Sequence, residues 1–444
     1  MTRTLAVLLC CIPTAITAQE PPPDTLLLDG ALHRALAQYP SLSAAQAEAD
    51  GARAAARQLV AERWPQLSTR ATLTRFQEPM VVAPFHAFDP TQPPQFDRTL
   101  FQGSVDLRYT VFDGGTRGAR IAAARADARA AGARTDAARQ ALVADVVDAY
   151  LDVLTASAQL LAQEEGVRAL SAERQRVSQL LAQGRAAQVD LLRVDAALAQ
   201  AEAARAAAEN HLTLSRHHLA RFVSDAAPSQ PLPLRPVRLL TTVIPARDEA
   251  IGQAESASPV LEQARERLAA GAAAKRAAGA QWFPRIELVG GYLGFGAGSG
   301  DFTAEWQGGV RLSYPLFTGG ARSGAGAEAA AREAAAAEGL RLATLQLHDQ
   351  VDRALASIAD ADATTAALAA AVEHLTEVVR IEQLRLETGA GIQVDYLREE
   401  ADLRRVRAQL AAAAHGAIAA RVELARLTGL LSLDWLHRTV EHTP

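Results

Sequence analysis

The chain has 444 residues and a net charge of −5; it is 49% hydrophobic, with aromatic residues at only 5% and alanine supplying much of the apolar share. That charge gives no electrostatic reason to bind nucleic acid, and no block of basic residues stands alone. The basic residues are all arginine except Lys275, a bias that carries no functional reading of its own.

The first 20 residues read MTRTLAVLLCCIPTAITAQE. Arg3, a short apolar core from Leu5 to Ile16 and Ala18 predict a secretory signal peptide over residues 1–18, too short to span a membrane as a helix. Both cysteines, Cys10 and Cys11, fall inside it, so the mature chain is expected to have no disulfide and no thiolate metal site. Beyond residue 18 there is no uncharged apolar run of about 18 residues, and no transmembrane helix is expected. A transmembrane strand needs only about 9–11 residues, and its signal is alternation.

Residues 29–63 have helix formers interrupted at Pro40, and Trp64–Pro65 stops the helix. QLSTRATLTRF (66–76) and LFQGSVDLRYTVF (100–112) alternate, with Leu67, Thr69, Ala71 and Leu73 on one face of the first and Phe101, Val105, Leu107, Tyr109 and Val111 on one face of the second. Period two predicts strands, here a hairpin over 65–112, with residues 77–99 and their five prolines as its loop. From 117 to 183 the chain is proline-free and helical in pattern, turns at Gly184 and returns as a helix to about 222. A proline-rich linker covers 224–249. The same order then recurs: a helix, a hairpin over 284–317, a long helix from about 321, a turn near Gly389–Gly391 and a return helix to about 428.

This recurrence is a tandem duplication. YTVFDGG (109–115) and YPLFTGG (314–320) lie 205 positions apart, as do Gly184 and Gly389, whereas Pro65 to Pro284 and Pro40 to Pro259 are 219 apart. The first copy therefore carries 14 extra residues between its alternating runs. The division is residues 19–223, a linker at 224–249, residues 250–429 and a tail at 430–444. Phe112, Gly114 and Gly115, and Phe317, Gly319 and Gly320, mark the two points where strand becomes helix. A soluble sheet with one wet face would alternate too. Regular charges on the polar face and aromatics at the strand ends favour a membrane barrel instead: Trp64, Phe112, Trp282, Phe283, Tyr314 and Phe317 at one level, Phe76, Phe101, Phe295 and Phe302 at the other.

The opening TLLLDGALHRALAQYPSLSAA, the junctions RYTVFDGG and SYPLFTGG, and the turns GRAAQVDLLRVDAALAQAEA and GAGIQVDYLREEADL together resemble the TolC-like outer-membrane efflux proteins, over essentially the whole mature chain. The resemblance implies an α+β membrane protein: a long antiparallel α-helical barrel plus a transmembrane β-barrel, four strands per chain, closed with 12 strands in a homotrimer. It implies a passive outer-membrane exit duct with a large periplasmic portion, serving a tripartite efflux pump or type I secretion. The partners would be a periplasmic adaptor, an inner-membrane pump of RND, ABC or MFS type, and outer-membrane lipid, with no cofactor. The helix tips Gln183, Gly184, Arg185 and Ala186, and Thr388, Gly389, Ala390 and Gly391, would meet the adaptor. Asp395, with its counterpart Asp190, would face the pore near its periplasmic constriction. Arg398 stands where some members have a second acid, and Glu399 follows it. A Tyr and an Arg that hold the gate in some members are Leu386 and Gly391 here, so that tether is absent.

The residues show no catalytic constellation. His211, His217 and His218 lie on a polar helix without acidic or thiol partners, and GGYLGFGAGSG (290–300) opens no helix, so neither a metal nor a nucleotide site is expected. The rival reading from another class is a periplasmic coiled-coil scaffold without a pore, which leaves four alternating strands unexplained.

Overall fold

A computed structural model describes residues 26–84, 90–91, 93–223, 233–240, 243–298, 300, 302–388 and 390–442. The expected signal peptide and Gly389 lie outside them. The first copy runs α1 (Leu28–Gln38), α2 (Pro40–Ala61), β1 (Gln66–Val81), β2 (Phe96–Phe112), α3 (Thr116–Ala182) and α4 (Gln188–Val223). After β3 (Val237–Leu239), the second runs α5 (Arg247–Ala257), α6 (Pro259–Ala280), β4 (Arg285–Ala297), β5 (Phe302–Ser313), α7 (Ala321–Glu387) and α8 (Gln393–Leu427), followed by α9 (Leu433–Thr439) and β6 (Val440–His442). Matched helices have matched lengths: 11 residues in α1 and α5, 22 in α2 and α6, and 67 in α3 and α7.

Proline and glycine set these boundaries. Pro40 and Pro259 open α2 and α6 at the first helical position, where no N–H is required, and hold Tyr39 and Ser258 extended. Pro65 and Pro284 likewise disfavour helix at Trp64 and Phe283, and the chain leaves as strand. At 1.5 Å per residue, α3 and α7 are each about 100 Å long. By length and composition alone α7 could cross a membrane, whereas the sequence predicts no transmembrane helix. Much of its apolar content is alanine, and it packs along α6 and α8.

The four long strands form one antiparallel sheet in the order β1-β2-β4-β5. Leu67, Leu73, Trp306, Val310 and Leu312 on one face are 66–80% exposed. Arg70, Asp106, Arg108, Gln307 and Arg311 surround a hollow on the other. Three expectations change. Pro315 cannot donate to a ladder, and β5 stops at Ser313 rather than reaching 317. Both strands of the first hairpin extend into the loop expected over 77–99, β1 to Val81 and β2 from Phe96, and residues 85–89 and 92 of that loop lie outside the described residues. Phe295 lies opposite Gln102 and Thr303, on the polar face, and is buried with Val82 and Leu100 while Phe76 packs beside them. Of the aromatic level formed by Phe76, Phe101, Phe295 and Phe302, Phe101 and Phe302 remain exposed.

Two apolar cores follow the two copies. One joins α1, the middle of α3 and the ends of α4, α8 and α9; the other joins α5, α7 and the end of α8. Tyr150 is fully buried in the first. Its hydroxyl lies 3.0 Å from the Leu26 carbonyl and 2.7 Å from that of Arg235, and accepts the Arg235 N–H at 3.1 Å. The inter-copy linker and the tail also carry structure that no sequence period marks: β3 pairs with β6, and α9 packs on the first core.

Candidate functional site

The two junctions are built on paired glycines with positive φ: +67° and +89° at Gly114 and Gly115, +59° and +86° at Gly319 and Gly320. Other residues pay about 1–2 kcal/mol to adopt this conformation. Gly114 has a second constraint. A Cβ there would lie 2.6 Å from the Phe283 Cβ and 2.7 Å from the Ala280 carbonyl oxygen, so the end of α6 rests on this glycine.

In the first junction Asp113 organises the turn. Its Oδ1 accepts the Gly115 N–H at 3.1 Å, and its Oδ2 accepts the Arg117 N–H at 3.0 Å and Nε at 2.9 Å. Arg117 Nη1 donates to the Glu62 carbonyl at 3.1 Å, which ties α3 to the end of α2. In the second junction Thr318 stands in place of Asp113, and Arg322 in place of Arg117. Arg322 donates from Nη2 to the Pro315 carbonyl at 2.6 Å and stacks over Trp282, 4.5 Å from the ring centroid, with Tyr314 at 5.5 Å. Its Nε and Nη1 are buried without a partner. Phe112 and Phe317 are both exposed beside their junctions.

At the first tip Gln183 caps α3 and Gly184 takes φ +70°. The Gly184 N–H donates to Leu181 O at 2.9 Å and the Arg185 N–H to Leu180 O at 2.8 Å, a Schellman closure. Ala186 follows, half-buried. At the second tip Thr388 caps α7, and the N–H groups of Ala390 and Gly391 both donate to Arg385 O at 2.9 Å. A Cβ on Gly391 would lie 3.0 Å from the Arg385 Cβ, so this turn is tightly wound. The sequence reading missed the exposed apolar residues beside both tips, Val189, Leu192, Ile392 and Val394. The QVD string repeated in each copy was the available signal.

Asp190 and Asp395 stand in the first turns of α4 and α8, where the helix dipole favours an acid. Asp190 accepts the Ala187 N–H at 3.3 Å and lies 3.5 Å from Arg193. Asp395, Arg398 and Glu399 form no ion pair among the described residues, although Arg398 is the counterpart of Arg193. One chain therefore presents these charges without gathering them. Among the described residues no cluster of three or more His, Cys, Asp or Glu could hold a metal.

A family model described as outer membrane efflux protein matches residues 31–223 and 250–430, the two copies in turn. Protein CyaE of Bordetella pertussis is 30% identical over 345 residues, 73% of this chain and 71% of that protein. A membrane protein from Pseudomonas aeruginosa superposes with a TM-score of 0.78 at 24% identity, over 90% of this chain and 93% of the other. The outer membrane protein VceC of Vibrio cholerae does so with 0.75 at 21% identity, over 90% and 96%. The open state of the MtrE outer membrane channel of Neisseria gonorrhoeae gives 0.73 at 21% identity, over 91% and 89%. With both copies matched and helices of this length joined to a sheet with an exposed apolar face, the chain belongs to the outer membrane efflux protein family, as an outer-membrane exit duct with a large periplasmic helical portion.

Proposed function

We propose that three copies of the chain close a 12-stranded barrel continuous with a periplasmic helical tunnel, and that this tunnel is the passive last stage of a tripartite efflux pump or a type I secretion system. The carrying observation is the sheet: four strands with β1 and β5 as unpaired edges. A bilayer offers no partner for edge N–H and C=O groups, and the smallest closed bacterial barrels use about eight strands, so one chain cannot close by itself. The exposed tips, with their apolar neighbours Val189, Leu192, Ile392 and Val394, suit a periplasmic adaptor that joins the duct to an inner-membrane pump. No group on the duct performs chemistry; the pump supplies the energy.

The constriction belongs to the same reading. Three copies of Asp395 around one axis would attract cations, with Asp190 and Glu399 adding negative charge and Arg398 opposing it. The test is conductance of the purified protein in planar bilayers. A cation-preferring channel is expected, less selective and less blocked by multivalent cations in Asp395→Ala, and more so in Arg398→Asp. A protein that opens no channel, or an Asp395→Ala variant with unchanged selectivity and block, would refute the duct or its constriction respectively.

A further inference from the structure

The offsets of the duplication also govern strand pairing. In the first hairpin Gln66 lies opposite Arg108 and Leu73 opposite Phe101. Moving the first partner on by 219 and the second by 205 gives Arg285 opposite Ser313 and Tyr292 opposite Trp306, which are the pairs that β4 and β5 make. The rule holds where it can be checked.

The joint between the copies is therefore a template for a joint between chains. Inside the chain β2 pairs with β4, with Val105 opposite Tyr292 and Leu107 opposite Gly290. Moving β2 on by 205 reaches β5; moving β4 back by 219 reaches β1, which within one chain lies at the far edge of the sheet. We propose that β5 of one protomer pairs antiparallel with β1 of its neighbour in a fixed register, Val310 opposite Leu73, Leu312 opposite Ala71 and Tyr314 opposite Thr69, and that the neighbour's Trp64 covers Gly319. This rests on the three-chain reading and specifies its joint.

Three independent features agree. In this register Val310 and Leu312 meet Leu73 and Ala71 on the apolar face, while Arg311 and Ser313 meet Thr72 and Arg70 on the polar one; a slip of one residue would oppose apolar to polar throughout. Gly319 has the left-handed φ of Gly114 but nothing within 4 Å of its Cβ position, whereas Gly114 is pressed by Phe283 and Ala280. The counterparts of those two residues are Trp64, which is 71% exposed, and Ala61. Finally, Arg129 and Glu266 pair at 2.7 Å across the internal joint. Their counterparts at the external joint are Ala334 and Ala47, so both charges are replaced together and neither is left unpaired.

The test is disulfide cross-linking in outer membranes, with Cys10 and Cys11 changed to Ala. Directly opposed Cβ atoms lie about 4.5–5.5 Å apart, and a two-residue slip moves a partner about 6.6–6.8 Å along the strand, beyond disulfide reach. Val310→Cys with Leu73→Cys is expected to give covalent dimers and trimers on oxidation; Val310→Cys with Ala71→Cys or Arg75→Cys is not. Cross-linking that peaks at either control pair, or at none in a protein that still runs as a trimer before heating, overturns the register and leaves the trimer standing. Absence of a trimer in the protein without the paired cysteines overturns the three-chain reading itself. A milder pair covers the case in which the cysteine variants fail to assemble. Gly319→Ala and Gly320→Ala meet similar backbone strain, but only Gly319 lies under the neighbour. Gly319→Ala should lose the heat-resistant trimer at a lower temperature than Gly320→Ala, and equal losses would contradict the proposed contact.

Discussion

The two strand-to-helix junctions have the same backbone and different anchors. Both use two left-handed glycines, and both place an arginine two positions after the second. In the first, Asp113 satisfies Arg117 and the helix start together. In the second the carboxylate is gone, and Arg322 is held by stacking on Trp282 and one carbonyl. The difference follows from position. The first junction is enclosed by its own chain, where α6 closes over Gly114, while the second stands at the open flank of the unit. Duplicated units share a backbone, then diverge according to what covers each copy.

The largest expected effect is at the enclosed glycine. Gly114→Val adds left-handed strain and a clash with Phe283 and Ala280, a cost of about 3–5 kcal/mol. It should abolish the assembled protein in outer membranes on immunoblots, and normal assembly would break the contrast. Next, Asp113→Ala removes a cap and the carboxylate partner of a half-buried arginine, and should lower the apparent Tm in detergent by an amount equivalent to about 2–3 kcal/mol. Thr318→Ala should change it little, and Thr318→Asp, by supplying Arg322 with its missing partner, should raise it by about 1 kcal/mol. Equal losses from Asp113→Ala and Thr318→Ala would show that the two junctions are anchored alike.

Tyr150→Phe should cost about 1–2 kcal/mol, because the hydroxyl's single proton, within reach of the Arg235 and Leu26 carbonyls, and the bond it accepts from the Arg235 N–H are lost. Its counterpart is Leu355, with no hydroxyl to lose, so Leu355→Met should have the smaller effect on the same melting curve. A pH effect sharpens the comparison further. Burial, and then the carboxylates of Asp152, Asp145 and Glu423, push the Asp148 carboxyl up to about 6, above its ordinary 3.8. An acid that holds its proton more tightly when folded contributes stability below its unfolded range, and that contribution is lost as the pH rises through its folded value. Asp148→Asn should therefore raise the apparent Tm at about pH 7.5 and change it little at about pH 4. The counterpart, Arg353, is paired with Asp349, so Arg353→Gln should show no such dependence. Melting curves at the two pH values decide it, and a gain equal at both would remove the assignment.

Much of the fold was legible because proline and glycine punctuate it. Pro40, Pro65, Pro259 and Pro284 mark boundaries that depend on local backbone sterics alone, and the long helices advertise themselves by the absence of proline. What depended on distant partners was not legible. The strands β3 and β6 have three residues each, too few to show a period, and pair only because the chain's end returns to its middle. The inward face of Phe295 was hidden because β4 is glycine-rich and carries few polar residues to label its faces. The stacking of Arg322 needs Trp282, which reaches it only after the hairpin has folded. The tips were visible as Gly184 and as the repeated QVD string, but the constriction proposed for Asp190, Asp395, Arg398 and Glu399 would need several chains, and one chain's sequence could suggest it only through the family resemblance.

If two copies of one unit make a wall that only three chains can close, the assembled protein is a trimer. Native mass spectrometry of the protein extracted from outer membranes in mild detergent tests it most directly. One species at three times the mass of the mature chain is expected. A stable monomer or dimer that still conducts in bilayers would contradict it.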